Sequence, residues 1–290
     1  MKHFLQNFLL YSIGIFNEFF LEYSTASITY FLPNSTFPLF TSWMAMSKSS
    51  YMRNFAFTAI NNLFYMLRIK AFMLLNVILL ESALETVPDE ILDHPSVKNN
   101  AKRRRKEPKS TILDVSIHYH AMRNLKEKEK RGRPDIIHSA MVLLLTDPVV
   151  KVNLYIHTIN SLLIKVNSDI RPPKNYERFI GLMEQLFEYG KVPPESDTPL
   201  IEITKCTLDD LLSKYKMVLL TEKGERKTPD YLCNLGEEWI IGLGGFPHGD
   251  FNEQIYKKAS ERISISDHVL ETQGVICRIM GSCNQLVGWP

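Results

Sequence analysis

The chain has 290 residues, enough for one large domain or two ordinary ones with a real hydrophobic core. Its 34 Lys and Arg nearly balance 32 Asp and Glu, leaving +2, which sets aside a chain charged with one sign throughout. Four cysteines (Cys206, Cys233, Cys277, Cys283) form no C-x-x-C pair and have no paired histidines at ligand spacing, so no zinc or other metal site is expected. They read as reduced thiols of a cytoplasmic protein, with Cys277 and Cys283 in or near the core.

The residues are unevenly spread. Of 31 aromatic side chains, 18 fall in residues 1–72, and basic residues crowd between Lys98 and Arg133. Residues 1–72 hold no clean membrane span, because Pro33, Asn34 and Pro38 interrupt one uncharged run and Asn61 and Asn62 another. Lys2 followed by Phe8–Phe16 has the outline of a signal peptide, but Glu18 and Glu22 stand where a small-residue cleavage site belongs. This stretch reads as an N-terminal extension from an upstream start, with initiation at Met73 or Met66. The domain proper is 73–290.

From Met73 the texture is that of an α/β protein. Leu74–Leu80 predicts a buried strand, Glu81–Leu92 a helix-forming segment with Pro88 near its start, and Asn99–Ser110 a charged surface loop. Ser116–Lys130 predicts a helix with Ile117, Ala121, Met122 and Leu125 on one face. In Arg131-Gly132-Arg133-Pro134-Asp135 a glycine C-cap ends one helix and a proline opens the next. Asn153–Ile159 and Leu162–Val166 predict a hairpin around Asn160-Ser161. The polar, basic run Arg171–Arg178 feeds an amphipathic helix that stops at Gly190.

The last third repeats one pattern three times. Thr207-x-x-Asp210 predicts a capped helix start, and Met217–Leu220, Trp239–Ile241 and Ile263–Ile265 predict short strands. The first strand runs into Thr221–Glu225, the second into a glycine-dense loop and the third into Ser266–Gly274. A parallel sheet that binds a small molecule at its carboxyl edge needs this arrangement. The middle loop fails a dinucleotide fingerprint, with Pro247 where a third glycine belongs. It also fails a phosphate loop, because Asp250 and Phe251 stand in place of Lys and Ser/Thr. Its strand ends at Ile241 or runs a residue or two further.

Five segments, in this order, resemble the ribosomal RNA small-subunit pseudouridine N1-methyltransferases, a branch of the SPOUT superfamily. They are Leu113–His118, Lys130–His138, Tyr155–Thr158, Arg171–Glu184 and Gly245–Phe251, within a match from about Leu74 to about Arg278. The resemblance implies an α/β fold with a parallel sheet, helices on both faces and a C-terminal deep trefoil knot. It also implies a homodimer, S-adenosylmethionine as methyl donor, and a role in small-subunit biogenesis. Chain-threading connections are otherwise rare, so the knot comes from the resemblance alone.

The resemblance also implies site residues. By the resemblance the three cofactor loops fall on Thr221–Glu225, Gly244–Gly249 and Ser264–Gly274, with Thr221, Glu222, Gly224, Gly244, Gly245, Gly249, Ile265 and Leu270 as cofactor contacts, and Arg131, Arg133, Arg171, Lys174 and Arg178 fall on the RNA. Lys174 stands where the family pattern has arginine, and an ammonium lacks the planar fork of a guanidinium. Arg133 and Asp135 fall beside the target base, where a carboxylate suits the N1 proton that leaves as the methyl arrives. A carboxylate is a weak base, so Asp135 suits orienting that N–H better than removing its proton. His118, His120, His138, His157 and His248 do not converge on one site and read as structural. The alternative function is a non-catalytic ribosome-assembly factor that binds RNA through the same basic surface.

Overall fold

The structure is a computed structural model that describes residues 73–287. The chain divides into two units between Met66 and Leu67, and the described residues all belong to the second. The expectations for the N-terminal extension lie outside the described residues.

Strand β1 (Met73–Ser82) is buried from Leu75 to Ser82, as a strand covered on both faces must be. Helices α1 (Pro95–Arg104), α2 (Val115–His118) and α3 (Pro134–Leu145) follow, then β2 (Val150–Thr158), β3 (Leu163–Val166), α4 (Tyr176–Tyr189), β4 (Lys191–Val192) and β5 (Ile201–Ile203). The last third alternates α5 (Leu208–Leu212), β6 (Lys216–Arg226), α6 (Asp230–Cys233), β7 (Trp239–Gly244), α7 (Glu253–Lys258), β8 (Glu261–Ser264) and α8 (Thr272–Val287). One eight-stranded sheet runs in the order β4-β5-β3-β2-β1-β7-β6-β8.

Strands β2, β1, β7, β6 and β8 are mutually parallel, and β3, β5 and β4 extend the β2 edge as an antiparallel wing. The sheet is therefore mixed. On one face Leu75, Val77 and Leu79 of β1 join Ile137 and Met141 of α3, Phe179 and Met183 of α4, and Ile276 of α8. On the other, Ile78 and Leu80 meet Leu208 and Leu211 of α5 and Ile255 of α7. Alternate residues of one strand thus serve two cores, with helices on both faces.

The hairpin forms, with Ile156 opposite Ile164, and α4 ends at Gly190 in the left-handed region as expected. Several expectations are corrected. Glu81–Leu92 holds only a single 3-10 turn, Asp89–Ile91, because Glu81 turns left-handed at the strand end and the next residues cross the sheet edge. The charged stretch from Asn99 is the second half of α1, held inward by Val97 and Ala101 and capped by His94. Ser116–Lys130 is a four-residue helix and two 3-10 turns, since Met122 and Leu125 fold back into a small core with Val87 and Leu113. The Thr221–Glu225 loop is strand: β6 runs on to Arg226 and its register against β8 shifts between Leu220 and Glu225.

The cysteines are corrected too. Cys233 and Cys283 form a disulfide between α6 and α8, and Cys277 is exposed. Closing a loop of 50 residues stabilises the fold by about 4 kcal/mol on the chain-entropy account. Among the described residues no helix is long and apolar enough to cross a membrane.

Two buried histidines make the fold acid-sensitive. Nδ1 of His118 accepts the Asp114 N–H at 3.1 Å, and Nδ1 of His157 accepts the Glu81 N–H at 3.5 Å, so each must be unprotonated there. Burial holds both pKa values below the ordinary value. Protonation is then easier in the unfolded chain, and this stability is present above about pH 6.5 and lost as pH falls below it. The melting temperature is expected to drop between pH 7 and 5, and to drop less in His118→Gln. Equal acid sensitivity of the variant, followed by circular dichroism, would contradict this.

Candidate functional site

The carboxyl half of β6, from Thr221, lies beside the segments that follow β7 and β8, and side chains bind the three segments together. Lys223 and Tyr256 both donate to the Asp250 carboxylate, and Tyr256 Oη meets Thr221 Oγ1 at 3.3 Å, joining first segment to second. Burial alone would raise the Asp250 pKa, but these hydrogen bonds outweigh it and the net shift is downward. Thr272 Oγ1 donates to the Gly244 carbonyl at 2.7 Å, joining second to third.

The predicted residues of this region are brought together. Thr221 and Ile265 are buried, Leu270 packs against the main core, and Glu222 is exposed. Two glycines are explained by crowding from the protein. A Cβ at Gly224 would stand 2.5 Å from Ile263 Cα, and one at Gly245 would stand 2.8 Å from Ser82 Cα. Gly249 has φ +99°, a left-handed turn that glycine adopts without strain. The strand before it ends at Gly244. Main-chain groups, a buried hydroxyl and apolar side chains make a donor set that fits an adenosine, whose ring takes apolar contact and whose edge takes main-chain hydrogen bonds.

Helix α3 carries the second half of the site. Gly132 (φ +68°) caps the preceding turn and Pro134 takes the first helical position. Arg133 Nε and Nη2 donate to the two Asp135 oxygens, both at 2.8 Å, in a fork-to-fork pair whose side chains are 37% and 44% exposed. The Asp135 hydrogen bonds raise the Arg133 pKa, and Glu271 of the third segment adds to that shift. One turn on, Ser139 Oγ donates to the Asp135 carbonyl and accepts from Gln273 Nε2 at 2.8 Å, at the start of α8. The Arg133–Asp135 pair is therefore fastened to the third loop.

The same helix holds the basic loop. His138 Nε2 meets the Pro173 carbonyl at 2.6 Å, and its ring stacks on Phe179 with centroids 4.8 Å apart. Arg171, Lys174 and Arg178 are exposed around this loop, and Asn175 caps α4 by accepting the Arg178 N–H at 3.0 Å. Tyr176 Oη donates to Asp114 Oδ2 at 2.5 Å; burial first, then Asp114, raises its pKa. His138 reads in the sequence only as structural and Ser139 is not singled out there, although Asp135, His138 and Ser139 have the i, i+3, i+4 spacing of one helix face.

Among the predicted RNA contacts, Arg131 is turned inward to a buried carboxylate. Its Nε and Nη2 donate to the buried Glu85 carboxylate, both at 2.7 Å, and its side chain is 13% exposed. Beside it opens a cavity of about 730 Å³ with Asp89, Glu90, Glu127 and Glu188 in its lining. No residue of the three loops borders that cavity, and its carboxylates would repel phosphate.

A family model described as EMG1/NEP1 methyltransferase matches residues 77–284. The protein named Ribosomal RNA small subunit methyltransferase Nep1 of Saccharolobus solfataricus is 56% identical over 218 residues, covering 75% of this chain and 100% of its own length. The protein of the same name from Sulfurisphaera tokodaii is 55% identical over 219 residues, with 75% and 100% covered. Among solved structures, the crystal structure of Archaeoglobus fulgidus Nep1 bound to S-adenosylhomocysteine superposes with a TM-score of 0.68 at 36% identity, covering 73% of this chain and 98% of that one.

Proposed function

The chain belongs to the EMG1/NEP1 methyltransferase family, and from that premise we propose that it transfers a methyl group from S-adenosylmethionine to N1 of a pseudouridine in small-subunit ribosomal RNA. One observation supports the reading: the Gln273–Ser139 hydrogen bond ties the three joined segments, which we read as the donor site, to the Arg133–Asp135 pair, which we read as handling the base.

When bound in the three loops, S-adenosylmethionine supplies an electrophilic methyl group on a good leaving group. The chain's own work is placement. Thr221, Gly244, Gly245, Gly249, Ile265 and Leu270 hold the donor. Asp135, with one lone pair of each oxygen engaged by Arg133, has lone pairs left to accept the N1–H of the base, turning the nitrogen towards the methyl group. The N–C bond would form as the C–S bond breaks, and the N1 proton, held in line by Asp135, would pass to solvent water. Arg171, Lys174 and Arg178 bind phosphate on the flanks, and the base has to be exposed from its RNA fold. The homodimer, the trefoil knot, a cytoplasmic location and the boundary between an extension and the domain at residue 73 belong to the same proposal.

Incubating the protein with small-subunit ribosomal RNA and isotope-labelled S-adenosylmethionine, then analysing nucleosides by mass spectrometry, is expected to show label on a methylated pseudouridine. RNA binding with no label would replace the reading with that of an assembly factor. Removing phosphate contacts leaves a second mark: Arg171→Ala with Arg178→Ala is expected to reduce the slope of log affinity against log salt by about 1–2. An unchanged slope would remove both arginines from the interface.

A further inference from the structure

Glu81 and Lys130 take no part in the chemistry above, yet they form a buried ion pair where the two halves of the site meet. Glu81 lies one residue before the end of the central strand and is 4% exposed. Its φ is +48°, a left-handed conformation that a non-glycine residue holds only when its surroundings enforce it. They do so here. Its N–H meets His157 Nδ1, its Oε2 accepts from Lys130 Nζ at 2.8 Å, and its Oε1 accepts the Asn252 N–H at 3.1 Å.

Lys130 in turn runs beneath the second loop. Its ammonium sits 4.7 Å from the centroid of the Phe246 ring, and a Cβ on Gly249 would stand 3.2 Å from Lys130 Cε. The pair therefore touches the loop at Phe246, at Gly249 and, through Glu81, at Asn252. Next along the chain Arg131 is fastened to Glu85, and then come Gly132, Arg133 and Asp135. Both the donor loop and the base-handling segment thus hang from one turn, 81–85.

We propose that Glu81 and Lys130 are positioning residues for the methyl transfer, a buried charged brace that fixes the donor loop relative to the Arg133–Asp135 segment. The proposal rests on reading the three loops as the donor pocket. Stability alone is a poor reason for the pair, because a buried ion pair can often be replaced by uncharged groups of similar volume at no cost. Geometry is a better one. A donor and acceptor held for in-line transfer lose about 10²-fold in rate for a displacement of ~1 Å.

Three variants separate the roles: Lys130→Met, Glu81→Gln, and both together, each measured well below its melting temperature. Each single variant strands a partner in the interior and is expected to lose melting temperature. Each is also expected to bind S-adenosylhomocysteine about tenfold more weakly in calorimetry and to transfer methyl groups ~10–100-fold more slowly. The double variant is expected to recover most of the melting temperature while its affinity and rate stay low. A double variant with wild-type affinity and rate would overturn the brace and leave the pocket standing. Wild-type protein that binds no S-adenosylhomocysteine would sink pocket and brace together.

Discussion

Asp135→Asn is expected to slow methyl transfer by about 10²-fold or more, the size of effect seen when a placed polar group at a reacting centre is lost. RNA affinity is expected to change by no more than ~3-fold, because the Arg133–Asp135 pair is well exposed and such pairs are worth only about 0–1 kcal/mol. Asparagine keeps the size of the side chain and one carbonyl acceptor. It cannot take both guanidinium donors, so Arg133 swings free and the remaining oxygen is no longer aimed. Single-turnover rates at saturating RNA, set beside affinities from filter binding, separate the two quantities. Equal losses in both would make Asp135 a purely structural residue of the first helical turn, favoured there by the helix dipole. Lys174→Arg is a useful companion, since a planar fork at that exposed position bears on RNA affinity and leaves the Asp135 effect untouched.

What could be read in advance was what depends on neighbours in sequence. Gly132 and Pro134 punctuate the entry to α3, Thr207 and Asp210 form the capping box, and Trp239–Ile241 is strand with Ile240 and Ile241 buried, each from a few adjacent residues. What could not be read depends on distant partners. Lys130 and Arg131 look like two more members of a basic run, and only the folded chain shows that carboxylates 49 and 46 residues earlier have claimed them. The same holds for Cys233 and Cys283, paired across 50 residues, and for Arg104 on α1, whose partner Glu184 lies far ahead on α4. The predicted helix over 116–130 failed for a related reason. Its apolar spacing is helical, but Met122 and Leu125 find their partners in a small core beside Val87 and Leu113, and the chain bends to reach it. Long-range pairing overrode local periodicity wherever the two disagreed.

Gly245 gives the sharpest contrast of this kind. Its N–H donates to the Leu80 carbonyl at 2.8 Å and its own carbonyl accepts the Ala83 N–H at 2.8 Å, so the donor loop is stitched to both sides of the turn at Ser82. A side chain here would drive into Ser82, whose Cα and Cβ would stand 2.8 and 2.9 Å from a new Cβ. The residue is glycine because protein backbone approaches it. Gly245→Val must part the loop from β1, at the roughly 1–3 kcal/mol typical of overpacking. Displacing the loop is expected to weaken S-adenosylhomocysteine binding by more than ~10-fold, since a preformed pocket gives up affinity when its walls shift. Gly181→Ala is the control: it lies in α4 with nothing within 4 Å of a new Cβ, and it is expected to stabilise the helix by about 0.5–1 kcal/mol without touching affinity. Calorimetry on the two variants decides the matter. Unchanged affinity in Gly245→Val would mean that the loop does not hold the methyl donor, and the pocket would have to be sought elsewhere on the carboxyl edge.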